Sequence, residues 1–283
     1  MPSLNARLTF ENAANATDRR VALVVVYDGT DYAGFQFQVG SPTIQNDLER
    51  AVGKATGVRS RIRGASRTDA GAHASGQVVD FSTGSELSTV TLVAALNYYL
   101  PESIRVIRAF DVPFEFHSRF DAAFREYRYS ILNREIASPF LRRTHHLENA
   151  ALDLKRIEHA ATSLLGIRDF RRISTGHPVD RSAVRHVLRW EINRHPSIPE
   201  VITIDCAASG FLRHQIRRAN AILLEIGKGK LPVHAMAETL SGRIPNQQPI
   251  RTLPAKGLCL KSVHYPNYDH LFGPKVKEKH ETQ

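Results

Sequence analysis

The stretch Thr43–Gly57, TIQNDLERAVGKATG, decides how the first half of this chain is read. Ile44, Leu48, Ala51, Val52 and Ala55 recur at helical spacing and so make one apolar stripe. Thr43 has a hydroxyl able to cap the first turn, and Gly57 can close the last one. The spacing therefore predicts a helix over 43–57. On its N-terminal side, Arg20–Tyr27, RVALVVVY, is a β-branched run ended by Asp28-Gly29 and reads as a buried strand. On its C-terminal side, Val58–Arg63 and Gly76–Ser82 read as two short strands. Ser88–Tyr99 reads as a second helix stopped before Pro101, and Ile104–Val112 as a further strand. That order is β-α-β-β-α-β, a split unit that lays two helices on one face of an antiparallel sheet.

The second half repeats the order with insertions and without a visible sequence repeat. Strands are expected at Phe124–Leu132, Ala183–Arg194, Glu200–Ala208 and Gly257–Tyr265. Helices are expected at Leu152–Leu165, Phe211–Ile226 and Ala235–Leu240; in the second of these Leu212, Ile216, Ala219, Leu223 and Ile226 form the stripe. The fold class is thus α+β, with two ferredoxin-like β-α-β-β-α-β domains whose antiparallel sheets join around a central cleft. The expected divisions are a flexible arm 1–18, an N-terminal domain 19–118, a C-terminal domain 119–267 and a basic tail 268–283.

Composition narrows the function. Lysine plus arginine outnumber aspartate plus glutamate 38 to 28, a formal net charge of +10, which favours a polyanionic partner. The two cysteines, Cys206 and Cys259, suffice neither for a disulfide framework nor for a CxxC-type zinc site. The start lacks the apolar core of a signal peptide, and no apolar run approaches the ~20 residues of a membrane span, so a cytoplasmic setting is expected. The histidines show neither HExxH nor Cys/His ligand spacing, and GKGK at Gly227–Lys230 lacks the flanks of a P-loop. Any chemistry would rest on acids, bases and aromatics without metal or cofactor.

Three stretches could supply it. GASRTDAGAHA, Gly64–Ala74, places one carboxylate, Asp69, among small residues. FREYRYSI, Phe124–Ile131, puts Arg125, Tyr127 and Tyr129 on one face of a strand. FLRHQIRRAN, Phe211–Asn220, spaces Arg213 and Arg217 to share one side of a helix. Taken singly, each has a plain structural reading: a turn, packed strand tyrosines, and a solvated helix face.

Taken together they resemble a family. YDGTDYAGFQFQ, TIQNDLE, SRTDAGAHASGQVVDF, FHSRFDAAFREYRY, FLRHQIRR and GLCLKSVHYP stand in the order seen in the tRNA pseudouridine synthase A family. The resemblance runs from Val21 to Pro266, with Phe35 at a commoner Trp position, Ser66 at a commoner Gly or Ala position, and Arg171-Arg172 as a further departure. It implies isomerisation of uridine to pseudouridine at positions 38, 39 and 40 of the tRNA anticodon stem-loop. It also implies a homodimer that uses neither metal nor organic cofactor. Asp69 is the implied nucleophile, with Tyr127 and Arg217 as catalytic partners. Substrate contacts are expected at Arg67, Thr68, His73, Arg119, Tyr127, Arg171, Arg172 and Arg213. A rival reading is a non-catalytic tandem RNP-like RNA-binding protein, but the paired strand aromatics it needs are missing: GQVVDFS has only Phe81 and VVVYDG only Tyr27. A carboxylate-dependent RNA hydrolase would want metal-binding acids clustered near Asp69, and none adjoins it in sequence.

Overall fold

A computed structural model describes residues 19–242 and 250–272; the expected arm 1–18 and the last eleven residues of the expected tail lie outside the described residues. The described residues are mixed α and β and divide into two compact units that meet between Arg119 and Phe120 in the chain.

In the first unit β1 (Arg19–Tyr27) leads to α1 (Ile44–Thr56), then β2 (Arg63–Gly64), β3 (His73–Thr83), α2 (Thr89–Tyr99) and β4 (Ile104–Val112). β1 lies between β3 and β4, antiparallel to both, and β2 runs antiparallel along β3. The centre of β1 has no solvent on either side: Val21, Ala22, Leu23 and Val25 are fully buried. A continuous β-branched run suits such a strand better than an alternating one. The helix read from Thr43–Gly57 is present. The Thr43 hydroxyl accepts from the Asn46 N–H, and Gly57 closes the helix in the left-handed region at φ 81°.

The expected strand Val58–Arg63 is corrected: only Arg63–Gly64 pairs with β3. Side chains of α1 occupy the preceding main chain instead. Buried Glu49 accepts from the Ile62 N–H at 3.2 Å, and Gln45 donates to the Ile62 carbonyl at 3.1 Å. A second polar centre is Asp80, fully buried on β3. It accepts from Arg20 at 2.8 Å, from the Arg63 Nε at 2.8 Å and from the Ser118 N–H at 2.9 Å. A buried carboxylate is tolerable only with such pairing.

The second unit contains β5 (Phe124–Asn133), β6 (His146–Glu148), α3 (Leu154–Ala161), β7 (Gly166–Asp169), β8 (Val184–His195), β9 (Ile198–Ala208), α4 (Gln215–Gly227), α5 (Ala235–Ser241) and β10 (Leu258–His264). Its strands lie in the order β10-β5-β9-β8-β7, all antiparallel, with β6 parallel to β5. Helices α3 and α4 pack closely where a Cβ on Gly227 would stand 2.6 Å from Ile157. Among the described residues, no helix is long and apolar enough to cross a membrane.

Candidate functional site

Asp69 sits on the loop between β2 and β3, half-buried. The turn reading is correct as far as it goes. The Ala72 N–H donates to the Asp69 carbonyl at 3.1 Å, and Gly71 at φ 76° takes the left-handed position that such a turn favours. Turn chemistry accounts for the main-chain carbonyl of Asp69.

The loop is strapped down by the segment 29–35. The Phe35 N–H donates to the Thr68 carbonyl at 3.2 Å, and the Gly71 N–H donates to the Tyr32 carbonyl at 3.2 Å. Contact is close enough that side chains are excluded at two points. A Cβ on Gly29 would fall 1.9 Å from the Ala72 carbonyl oxygen, and one on Gly34, already at φ 102°, 2.9 Å from that of Thr68. Phe35 lies against Gly64, where a Cβ would meet its ring at 2.4 Å. The two strap glycines therefore let two stretches of backbone touch each other. That is the physical reason for the glycines of YDG and YAG.

The side chains named from sequence are distributed as follows. Thr68 is buried, and its hydroxyl is 2.8 Å from that of Tyr27. His73 is also buried, with Nδ1 3.2 Å from the Gly29 N–H and 3.1 Å from the Asp28 carboxylate. Arg67, next to Thr68 in the chain, is exposed; Arg119 is exposed as well. The described residues of this loop thus bring Arg67, Thr68, Asp69 and His73 together.

In the second unit Tyr127 lies on β5, opposite Leu260 on one neighbouring strand and Cys206 on the other. It is buried and meets Phe211 edge-on, with ring centroids 5.4 Å apart. Phe211 in turn meets Trp190 at 6.5 Å. The other members of that strand face are occupied. The Arg125 Nη1 donates to the carbonyls of Ala122 and Ser209 at 3.0 and 2.9 Å. The Tyr129 hydroxyl donates to the Pro254 carbonyl at 2.9 Å. Burial pushes the Tyr129 hydroxyl well above its ordinary range against the opposing charges of Arg217 and Arg251. Burial likewise raises the Cys206 thiol, an inert core group.

Arg217 is half-buried on α4, and its Nε donates to the Leu253 carbonyl at 2.6 Å. The expected pairing of Arg213 with Arg217 on one helix face is corrected, because α4 begins at Gln215. The side chain of Gln215 accepts from the Leu212 N–H at 2.8 Å, and His214 takes φ 62°, which stops the helix from extending backward. Arg213 is exposed just outside the helix. Arg171 spends its guanidinium on main chain, donating to the carbonyls of Pro178 and Arg181, each at 3.0 Å, so it braces the loop 178–181. Arg172 is exposed. Among the described residues, no group of three or more His, Cys, Asp or Glu side chains could hold a metal ion.

A sequence profile described as tRNA pseudouridine synthase matches residues 23–121 and 160–266. The chain belongs to that family. It is similar to the tRNA pseudouridine synthase A of Roseiflexus castenholzii, 40% identical over 250 residues that cover 88% of this chain and 91% of that one. It is 34% identical to the tRNA pseudouridine synthase A of a Geobacter species over 248 residues, 88% of this chain and 99% of that one. The corresponding enzyme of Acetivibrio thermocellus is 35% identical over 248 residues, 87% of this chain and 100% of that one. A solved Cbf5-Nop10-Gar1 complex aligns with 85% of this chain and 49% of its own at a TM-score of 0.34 and 9% identity, a likeness that carries no argument.

Proposed function

We propose that this member of the pseudouridine synthase family isomerises uridine to pseudouridine in tRNA, with Asp69 as the reacting carboxylate. The observation that carries the assignment is a half-buried carboxylate on a turn held through the Thr68 and Asp69 carbonyls and the Gly71 N–H. The reaction breaks the glycosidic C–N bond, turns the uracil and rejoins it to the ribose through C5. It is redox-neutral and loses no atoms, so one positioned, ionised carboxylate suffices as nucleophile or base. Tyr127 offers an aromatic surface for the extruded uracil and a hydroxyl suited to the C5 proton. Arg217 is the proposed cationic partner in catalysis.

The finer reading is that the two units are related β-α-β-β-α-β domains around an RNA-binding cleft. The enzyme acts as a cytoplasmic homodimer on the anticodon stem-loop at positions 38, 39 and 40. The sequence motifs and the run of β-α-β-β-α-β in the first unit support this. Exposed Arg67, Arg119, Arg172 and Arg213 are the proposed phosphate contacts, with Thr68, His73 and Arg171 shaping the surfaces that present them. The direct test is chemical mapping of pseudouridine in unmodified tRNA incubated with the pure protein. New pseudouridine confined to the anticodon arm is the expected result, and an unmodified transcript would refute it.

Binding should also weaken steeply with salt. Each phosphate neutralised adds about −0.7 to −0.9 to the slope of log affinity against log salt. The net charge of +10, with Arg142 and Arg143 also exposed, leads us to expect several such contacts. A flat tRNA affinity between low and physiological salt would count against the basic-surface reading.

A further inference from the structure

Beneath the Asp69 loop lies a buried carboxamide with no part in the chemistry just described. Gln77 is on β3 and is fully buried. Its Nε2 donates to the Ser66 carbonyl at 2.7 Å, and its Oε1 accepts from the Ser66 N–H at 3.3 Å. One side chain thus grips both main-chain groups of a residue three positions before Asp69. The same Nε2 stands 3.5 Å from the hydroxyl of Tyr27, which is 2.8 Å from that of Thr68. The residues on both sides of exposed Arg67 are therefore held from below, one through Gln77 and the other through Tyr27. A strand in this environment would ordinarily carry a valine or isoleucine, and a buried amide persists only where its hydrogen bonds are met.

We propose that Gln77 is a positioning residue for the pseudouridine synthase reaction, fixing the reach of Asp69 by clasping the Ser66 main chain. This rests on the role proposed above for Asp69. The clasp acts before the turn, and the straps from 29–35 act on Thr68 and Gly71, so the loop is held on both sides of Asp69. A shift of about 1 Å at a reacting group can cost on the order of 100-fold in rate while leaving distant binding contacts intact. Loss of the clasp should therefore appear in the chemical step and not in tRNA affinity.

Gln77→Glu tests this with a readout that a merely space-filling role would not move. An ionised glutamate can accept from the Ser66 N–H but cannot donate to the Ser66 carbonyl, which it would repel. A protonated glutamate has one donor and one acceptor and restores both bonds. Burial raises the pKa of such a group, so protonation falls within an accessible acidic range. At pH 8 the variant should bind tRNA within about twofold of the parent and react roughly 10- to 100-fold more slowly in single turnover. The ratio of variant to parent rate should climb toward one as pH falls. Gln77→Met, which cannot make either bond, should be slow at every pH. If Gln77→Glu matches the parent at pH 8, or if its deficit does not change with pH, the clasp does not position Asp69. An inactive parent would instead overturn the proposed function, which separates the two failures.

Discussion

Asp69→Asn is expected to give a folded protein that binds tRNA as the parent does and forms no detectable pseudouridine, even in single turnover with enzyme in excess. The hydrogen bond that closes the turn is accepted by the main-chain carbonyl of Asp69, and the left-handed position belongs to Gly71. Thr68 and Gly71 carry the straps to Phe35 and Tyr32. An asparagine changes none of these, is nearly isosteric, and tolerates turn geometry well. A role limited to the turn therefore predicts an active variant with an unchanged melting point. The catalytic role predicts a loss of about 10,000-fold or more, because an amide can neither attack as a carboxylate nor accept the proton. The proposed phosphate contacts of arginines elsewhere would still hold the RNA, so affinity should survive. Single turnover is needed because slow product release could mask intact chemistry. Pseudouridine formation by Asp69→Asn at a rate near the parent's would remove the residue from the mechanism.

How much of this was legible in the sequence depends on which forces set each element. Helix α1 followed from its own stripe and caps, and Thr43 and Gly57 act where the pattern places them. β4 matches its expected bounds for a similar reason, since a run flanked by turn residues needs no distant partner to be recognised. Val58–Arg63 failed because its main chain is captured by Gln45 and Glu49, polar side chains on a helix with no local mark of that duty. α4 starts late because of one side-chain bond from Gln215 and one left-handed residue, His214, neither of which interrupts the apolar stripe. β6 and β7 are short edge pieces, and GIRD offers no alternation to read. At the site, Asp69 was visible because an acid among small residues invites a question. Gln77 was not, because a glutamine within GQVVDF looks like one polar position of a strand. Only the burial of β3 on both faces makes that amide conspicuous.

The glycines of the strap were legible as turn residues but not for what they do, and Gly29→Ala should expose the difference. Gly29 is not among the residues at positive φ, so the backbone there would accept an alanine. The obstacle is space. The added Cβ would sit 1.9 Å from the Ala72 carbonyl oxygen and 2.9 Å from its carbon, and both atoms are main chain. No rotamer change can relieve such an overlap, so the strap must lift off the loop, with loss of the bonds at Phe35 and Gly71. Overpacking usually costs 1–3 kcal/mol, and a clash against immobile backbone belongs at or beyond the top of that range, about 3 kcal/mol. For a unit of this size that is a melting point lower by roughly 10 °C, accompanied by a large loss of single-turnover rate as Asp69 loses its support. Gly40→Ala is the matched control. Gly40 has φ 75° with nothing within 4 Å of its would-be Cβ, so alanine there meets only the left-handed penalty of about 1–2 kcal/mol. It should be mildly destabilised and fully active at a temperature where both variants are folded. If Gly29→Ala proved as stable and as active as Gly40→Ala, close approach of the two backbones would not be what holds the Asp69 loop.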